Sequence, residues 1–350
     1  MATIVINKYC LHSASMYFPK LLKYSRLLSS LFLRRNISIP SNVCVQELNK
    51  RTLLKLTGPD TTDYLQSMIT NDIKNVKEIS TLYSLLLNSR GKVLYDCIIY
   101  RMNTNEYLVE YDATAAEYFH RHLLMYRLRK DVKIQPLTDL CVYALCRKYD
   151  GNTHPSVSEL KSVLNNFTGL EGFILSANDP RIEDLGIRII VKNSTTLQKA
   201  LNETVAASNC YTLLRYKLGI GEGVLDHPCG ECLPFETNVD FLNGVSFTKG
   251  CYIGQELTAK AHFVLTVRKR LMPVILNTEN LDTLFPPECA IINETGQKMG
   301  RLRSHFQQYG LALLKYEESL KSGYLKLKGF DWKLDVIRPS WWPSDLKNSI

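Results

Sequence analysis

Short apolar segments, punctuated by glycine and proline, run through most of this chain. Residues 53–57 (Leu-Leu-Lys-Leu-Thr) suit a strand, and Gly58-Pro59-Asp60 opens a helix, because proline is tolerated in a first turn. Tyr64, Leu65, Met68 and Ile69 then share one helical face. Residues 81–88 and 93–101 read as strands joined by the glycine-bearing turn Ser89-Arg90-Gly91-Lys92, and 107–111 as a third strand. Residues 113–128 predict a helix with Phe119, Leu123, Tyr126 and Arg127 near one face, and 132–136 returns to strand. A second unit follows, with strands at 141–145 and 186–191, a loop-rich stretch between them, and helices at 195–207 and 211–218. Gly219-Ile220-Gly221-Glu222-Gly223 interrupts regular structure and turns the chain. Beyond residue 271 the pattern changes to short strands at 272–276, 300–304, 311–316, 324–328 and 332–337, which suits a small antiparallel barrel. The predicted class is α+β: two α/β halves over 47–140 and 141–270, then a barrel and tail over 271–350.

Residues 1–46 stand apart. They carry Lys8, Lys20, Lys23, Arg26, Arg34 and Arg35 and no acid, with frequent serine and interspersed leucine. Basic, acid-free and amphipathic is the pattern of a mitochondrial transit peptide and predicts the matrix as destination. A secretory leader is the rival, since 27–33 is a short apolar run, but Lys23, Arg26 and Arg34-Arg35 interrupt or flank it. Six of the nine net positive charges lie here. The remainder is weakly basic, which gives no footing to nucleic-acid binding. No apolar run is long enough to span a bilayer. The ten cysteines are scattered through a long chain, which favours reduced thiols over a disulfide framework.

Chemistry concentrates in Lys249-Gly250-Cys251-Tyr252-Ile253-Gly254-Gln255-Glu256. Gly250 and Gly254 permit backbone angles closed to other residues and close approach by a ligand or another chain. The Lys249 charge, two residues from the sulfur, favours thiolate, and a helix starting near Gly254 would act in the same sense. The bland alternative is a buried cysteine in a tight turn. A second possibility is a metal site on Cys229-Gly230-Glu231-Cys232 with Cys251 and either His227 or Cys289, although the cysteine pair is single where zinc motifs double it. A third is a thiol enzyme with His262 or His305 as base.

The octapeptide, with Leu233-Pro234-Phe235-Glu236-Thr237-Asn238 and Asn243-Gly244-Val245-Ser246-Phe247 before it, resembles the signature of the YgfZ family. Its members are GcvT-like folate-fold proteins that assist iron–sulfur cluster assembly. The stretch through Arg268-Lys269-Arg270-Leu271 resembles the mitochondrial branch. Further matches are Gly58-Pro59-Asp60, Tyr64-Leu65-Gln66, Thr70-Asn71-Asp72, Arg90-Gly91-Lys92-Val93-Leu94-Tyr95-Asp96, Tyr126-Arg127-Leu128-Arg129 and Ser340-Trp341-Trp342-Pro343.

The resemblance implies a non-enzymatic factor for 4Fe–4S proteins, working with A-type scaffold proteins and client enzymes. It implies Lys249, Gly250, Cys251, Tyr252, Gly254, Gln255 and Glu256 as the functional motif. Cys251 would serve as ligand of a transient, shared cluster or as an exchanging thiol. It further implies tetrahydrofolate binding through Asn71, Tyr83, Asp96 and Arg215. A folate-dependent aminomethyltransferase is the alternative. That relative's paired acids after the hairpin are here Tyr95-Asp96, and its pterin-binding carboxylate is here Lys217, so the same pairing is lost. Within its own family the chain departs at Lys260, where arginine is usual, and at Leu265-Thr266, where a glycine is expected.

Overall fold

The computed structural model describes residues 39–76, 80–148, 157–169, 171–192, 209–277, 285, 288–330, 332–344 and 346. The helix expected at 195–207 and residues 1–38 of the expected leader lie outside them.

The first half comprises β1 (Val43–Glu47), β2 (Arg51–Thr57), α1 (Thr61–Met68), β3 (Thr81–Leu87), β4 (Val93–Asn103), β5 (Glu106–Asp112), α2 (Ala116–Arg127) and β6 (Lys133–Leu137). The second adds β7 (Leu140–Arg147), α3 (Val157–Asn165), β8 (Phe173–Asn178), β9 (Ile187–Lys192), α4 (Cys210–Leu218) and the single turn α5 (Gly223–Asp226). Two sheets result, ordered β3-β4-β5-β2-β6 and β1-β7-β9-β8, with every paired strand antiparallel.

Strand periodicity sets the layers, because neighbouring side chains leave a strand on opposite faces. Leu53 joins Tyr83, Leu85, Ile98 and Leu108 in a core shared with Val142, Ala144 and Ile190 of the second sheet. Leu54 and Leu56 point the other way, onto Tyr64, Leu65 and Met68 of α1 and Phe119 and Leu123 of α2. On the outer face of the second sheet, Val43, Val45, Tyr143 and Ile189 receive Leu160 and Val163 of α3, with Phe167 beyond it. The architecture is helices, sheet, sheet, helix.

Two expectations are corrected here. The stretch expected to be loop contains α3 and β8, because Leu160, Val163 and Phe167 recur at helical spacing despite the surrounding glycine and proline. The leader boundary at residue 46 falls inside the fold. Val43, Cys44 and Val45 are buried in β1, which pairs in full with β7. Gln46 also caps α4, its Oε1 accepting from the backbone N–H of Tyr211 at 2.8 Å and of Thr212 at 3.2 Å. A leader must end before this strand.

Between the sheets lies an ion network rather than pure hydrocarbon. Arg51 donates to Glu110 at 2.9 Å and to Asp96 at 3.2 Å. Arg181 pairs with Asp179 at 2.7 Å and with Glu222 at 2.9 Å, and Arg188 with Glu222 at 2.8 Å. Burial works against the Glu222 carboxylate, but the Arg188 and Arg181 guanidiniums outweigh it and hold its pKa well below the ordinary value. Removing one partner from such a network would strand a buried charge, at a cost of about 3–5 kcal/mol.

The chain then passes through α6 (Gln255–Phe263) into β10 (Lys269–Leu276), β11 (Ala290–Asn293), β12 (Lys298–Phe306), β13 (Tyr309–Lys315), α7 (Tyr316–Lys321), β14 (Leu325–Leu327) and β15 (Lys333–Val336). The six strands close into a barrel in the order β10-β13-β12-β11-β14-β15. Strand β11, four residues long, is absent from the sequence reading. Trp342 packs into the barrel core, and Trp341 Nε1 donates to the Leu218 carbonyl at 2.7 Å, which ties the tail to α4.

Candidate functional site

The octapeptide is held as a rigid loop across the first half. Helix α1 ends at Met68, leaving its last carbonyls without helical donors. Lys249 donates at this corner: its Nζ reaches the carbonyl oxygen of Gln66 in the helix at 2.8 Å and, just past the helix end, those of Ile69 at 2.7 Å and Asn71 at 2.7 Å. A cation at a helix C-terminus also meets the negative end of the dipole. Burial pushes the Lys249 ammonium down to about 8, with Asp72 opposing the change. This corrects the role read from sequence. The charge is spent on three carbonyls and on the Tyr252 ring, whose centroid lies 4.9 Å away.

The neighbouring matches fall into place around this anchor. Ser246 N–H donates to the Thr70 carbonyl, Thr70 Oγ1 to the Gly244 carbonyl, and Asn71 Nδ2 to the carbonyls of Tyr83 and Asn243. Ile253 N–H donates to the Ser67 carbonyl at 3.1 Å. Residues 243–253 are thus laced to 66–71.

The hairpin match has the same explanation. Gly254 has φ +80°, and a Cβ there would sit 2.5 Å from the Asn88 carbonyl oxygen and 3.1 Å from Gly91 Cα. A Cβ on Gly91 (φ +73°) would strike Leu257 Cβ at 2.7 Å. The two glycines let the hairpin and the motif touch. Gly250 differs, since a Cβ there meets nothing within 4 Å and its φ is not positive. Gly254→Ala is therefore expected to cost roughly 2–3 kcal/mol, combining left-handed strain with the clash. Gly250→Ala should lie within about 0.5 kcal/mol of the parent. Urea melts of both variants check the contrast.

On this platform Cys251 is exposed. Helix α6 begins at Gln255, immediately after Gly254, as expected from sequence. Gln255 Oε1 accepts from Tyr252 N–H at 3.1 Å, which leaves its Nε2 to donate to Cys251 Sγ at 3.6 Å. Tyr252 is half-buried against the inter-sheet core, and Glu256 is exposed in the first turn of α6.

The rival arrangements do not assemble. Among the described residues, no three of His227, Cys229, Cys232, Cys251 and Cys289 bring ligand atoms together. Cys232 accepts from Arg303 Nη2 at 3.5 Å, Cys289 faces the carbonyls of Ala290 and Lys328, and His227 is buried beside Gly221. Neither histidine proposed as base is bonded to Cys251, whose one described hydrogen bond comes from Gln255. His262 stacks on Phe247 with centroids 3.6 Å apart, and His305 lies edge-on to Phe285.

The far end of α6 is apolar and open. Phe263 and Val264 are 72% and 73% exposed, and Leu265 is 45% exposed. Beside them lies a cleft of about 230 Å³ lined by Leu233, Phe235, Leu257, Ala261, Leu265 and Val267. Leu265 and Thr266 adopt no positive φ, so the glycine missing there is not needed for backbone geometry.

Three of the four residues expected to hold tetrahydrofolate are hydrogen-bonded within the protein, and the fourth, Tyr83, keeps a buried hydroxyl without a described partner. Asn71 spends both side-chain termini within the protein, its Oδ1 accepting from Asp72 N–H. Tyr83 is fully buried beneath the Arg181 guanidinium. Asp96 is 2% exposed, and its two oxygens accept from Arg51 and from Gly223 N–H. Arg215 alone of the four lines a described cleft, one of about 350 Å³, but its Nη1 donates to Asp226 and to the Ile220 carbonyl. The salt-bridge role, not a free guanidinium, is what the geometry gives it.

A family model described as the GCVT N-terminal domain matches residues 14–146, and one described as the CAF17 C-terminal beta-barrel domain matches residues 268–344. In fold, the chain is similar to the glycine cleavage system aminomethyltransferase T of Bartonella henselae (TM-score 0.67, 15% identity, 89% of each chain covered). In sequence, it is 32% identical over 317 residues to the mouse protein named iron-sulfur cluster assembly factor IBA57, mitochondrial, with 86% of each covered. It is 33% identical over 316 residues to the human protein of that name, with 85% of each covered. The Dictyostelium discoideum homologue is 30% identical over 287 residues, covering 72% of this chain and 67% of its own length. With the fold, the laced motif and these identities together, the chain belongs to the family of the mitochondrial iron–sulfur cluster assembly factors IBA57.

Proposed function

We propose that this protein is a non-enzymatic assembly factor of the mitochondrial matrix that serves 4Fe–4S proteins together with A-type scaffold proteins. The observation that carries this reading is an exposed Cys251 on a loop locked by Lys249, Gly254 and Gly91, with no base bonded to its sulfur. Such a thiol can lend a soft ligand to a cluster presented by a partner while the protein does not move. The cluster is cargo, and the reading includes no folate step. The apolar far end of α6, with its cleft, is where the partner rests, since exposed apolar patches mark contact surfaces.

Depletion of the protein in cells tests the reading. Aconitase-type 4Fe–4S activities should fall while glycine cleavage persists, and Val264→Asp, which changes an exposed residue, should fail to restore them although it folds. Loss of glycine cleavage alone would support the aminomethyltransferase that the fold neighbour makes the second reading. Lys217, whose Nζ lies 4.7 Å from the Tyr309 ring centroid, stands against it where that enzyme needs a carboxylate.

A further inference from the structure

Strand β1 and strand β7 pair in a register that sets Cys44 directly opposite Cys146. Cys210 opens α4, which packs across the same two strands. The three sulfurs lie within 4.8 Å of one another, and among the described residues this is the one group of three metal-ligating side chains so placed. Cys44 and Cys146 are buried, and Cys210 is half-buried. Cys44 and Cys210 are joined as a disulfide, with Cα atoms 6.5 Å apart, and Cys146 is a free thiol against that pair.

A disulfide corrects the expectation of wholly reduced thiols, but a reducing compartment returns such pairs to thiols. We propose that in the reduced chain Cys44, Cys146 and Cys210 form a buried three-sulfur site for one soft monovalent metal ion of the Cu⁺ kind. Thiolate sulfur selects soft ions, and Zn²⁺ in structural sites requires a fourth ligand that this group lacks.

Two features offset part of what burial costs a negative charge here. The Arg188 guanidinium lies within electrostatic reach of Cys146, and Cys210 sits at the positive end of α4. Two molecules of a low-molecular-weight thiol supply the two electrons and two protons that open the Cys44–Cys210 bond, and they leave joined as their own disulfide. The metal ion then displaces the thiol protons to solvent, and no electron moves in that step. This proposal is independent of Cys251 and of the assembly role.

The test uses the full chain, reduced anaerobically with a dithiol and titrated with Cu⁺ held by a competing chelator. One ion per chain should remain after gel filtration, with three sulfur neighbours in its X-ray absorption spectrum. Affinity should drop at least tenfold in Cys146→Ala and stay unchanged in Cys251→Ala. Bound metal should also shield three further thiols from alkylation in the native protein, a readout that needs no variant. No retained copper, a two-sulfur spectrum, or binding lost in Cys251→Ala but kept in Cys146→Ala would overturn the site. A disulfide that resists millimolar glutathione would do so as well.

Discussion

Cys251→Ser is expected to abolish rescue of 4Fe–4S enzyme activity in depleted cells while the purified variant melts as the parent does. The residue is exposed, no buried group depends on its sulfur, and Gly250 beside it faces open space. Exposed substitutions of this kind change stability by about 0.5 kcal/mol or less. The chemical change is large by contrast. A serine hydroxyl is a poor ligand for iron and takes no part in thiol exchange. Enzyme activities after complementation give the functional arm and thermal melts the folding control. Full rescue by a folded serine variant would leave the motif to be explained by shape and partner contact alone.

The glycines on either side of Cys251 marked a tight turn in the sequence, but only the fold decides between a buried cysteine and the exposed one found. The strand at residues 53–57 was legible too, whereas the opposite facing of Leu53 and Leu54, which decides which side of the first sheet meets helices and which meets the second sheet, came from the fold. The work of Lys249 was not legible. Sequence distance put its charge two residues from the sulfur, whereas the residues it serves, Gln66, Ile69 and Asn71, are some 180 positions away. Nor could the pairing of Gly91 with Gly254 be seen, since each alone reads as an ordinary turn glycine. Arg215 and Asp96 illustrate the converse. A charged residue matching a ligand-binding pattern is recognisable by type, but only the fold shows that Asp226 and Arg51 have already taken it. The Cys44–Cys146 juxtaposition depends on strand register, which a one-residue slip would destroy.

These points bear on how the loop works. Its position is fixed on one side by a cation on carbonyls at the end of α1 and on the other by two glycines in contact, and Cys251, between Lys249 and Gly254 in sequence, is exposed. Rigid placement matters for a shared ligand, because a group held loosely must pay its ordering entropy when the partner arrives. The anchor should therefore be as necessary to function as the sulfur, for a different reason.

Lys249→Met tests that statement. Methionine keeps the length and apolar stem of lysine and removes the ammonium. The carbonyls of Gln66, Ile69 and Asn71 then lose their common donor. Bonds to a charged group contribute about 1.5–3 kcal/mol each, but part of that offsets the cost of drying the ammonium, the same cost that holds its pKa at about 8. The net loss expected on denaturant unfolding is about 2–4 kcal/mol. Lys249→Arg keeps the charge but replaces a compact three-donor head with a planar fork, and should recover only part of it. Function should fall with the anchor although Cys251 is intact, and hydrogen exchange should quicken at Ile253, whose N–H depends on the Ser67 carbonyl. A Lys249→Met protein with parental stability, parental exchange at Ile253 and full activity would show that the carbonyl cluster does not hold the loop.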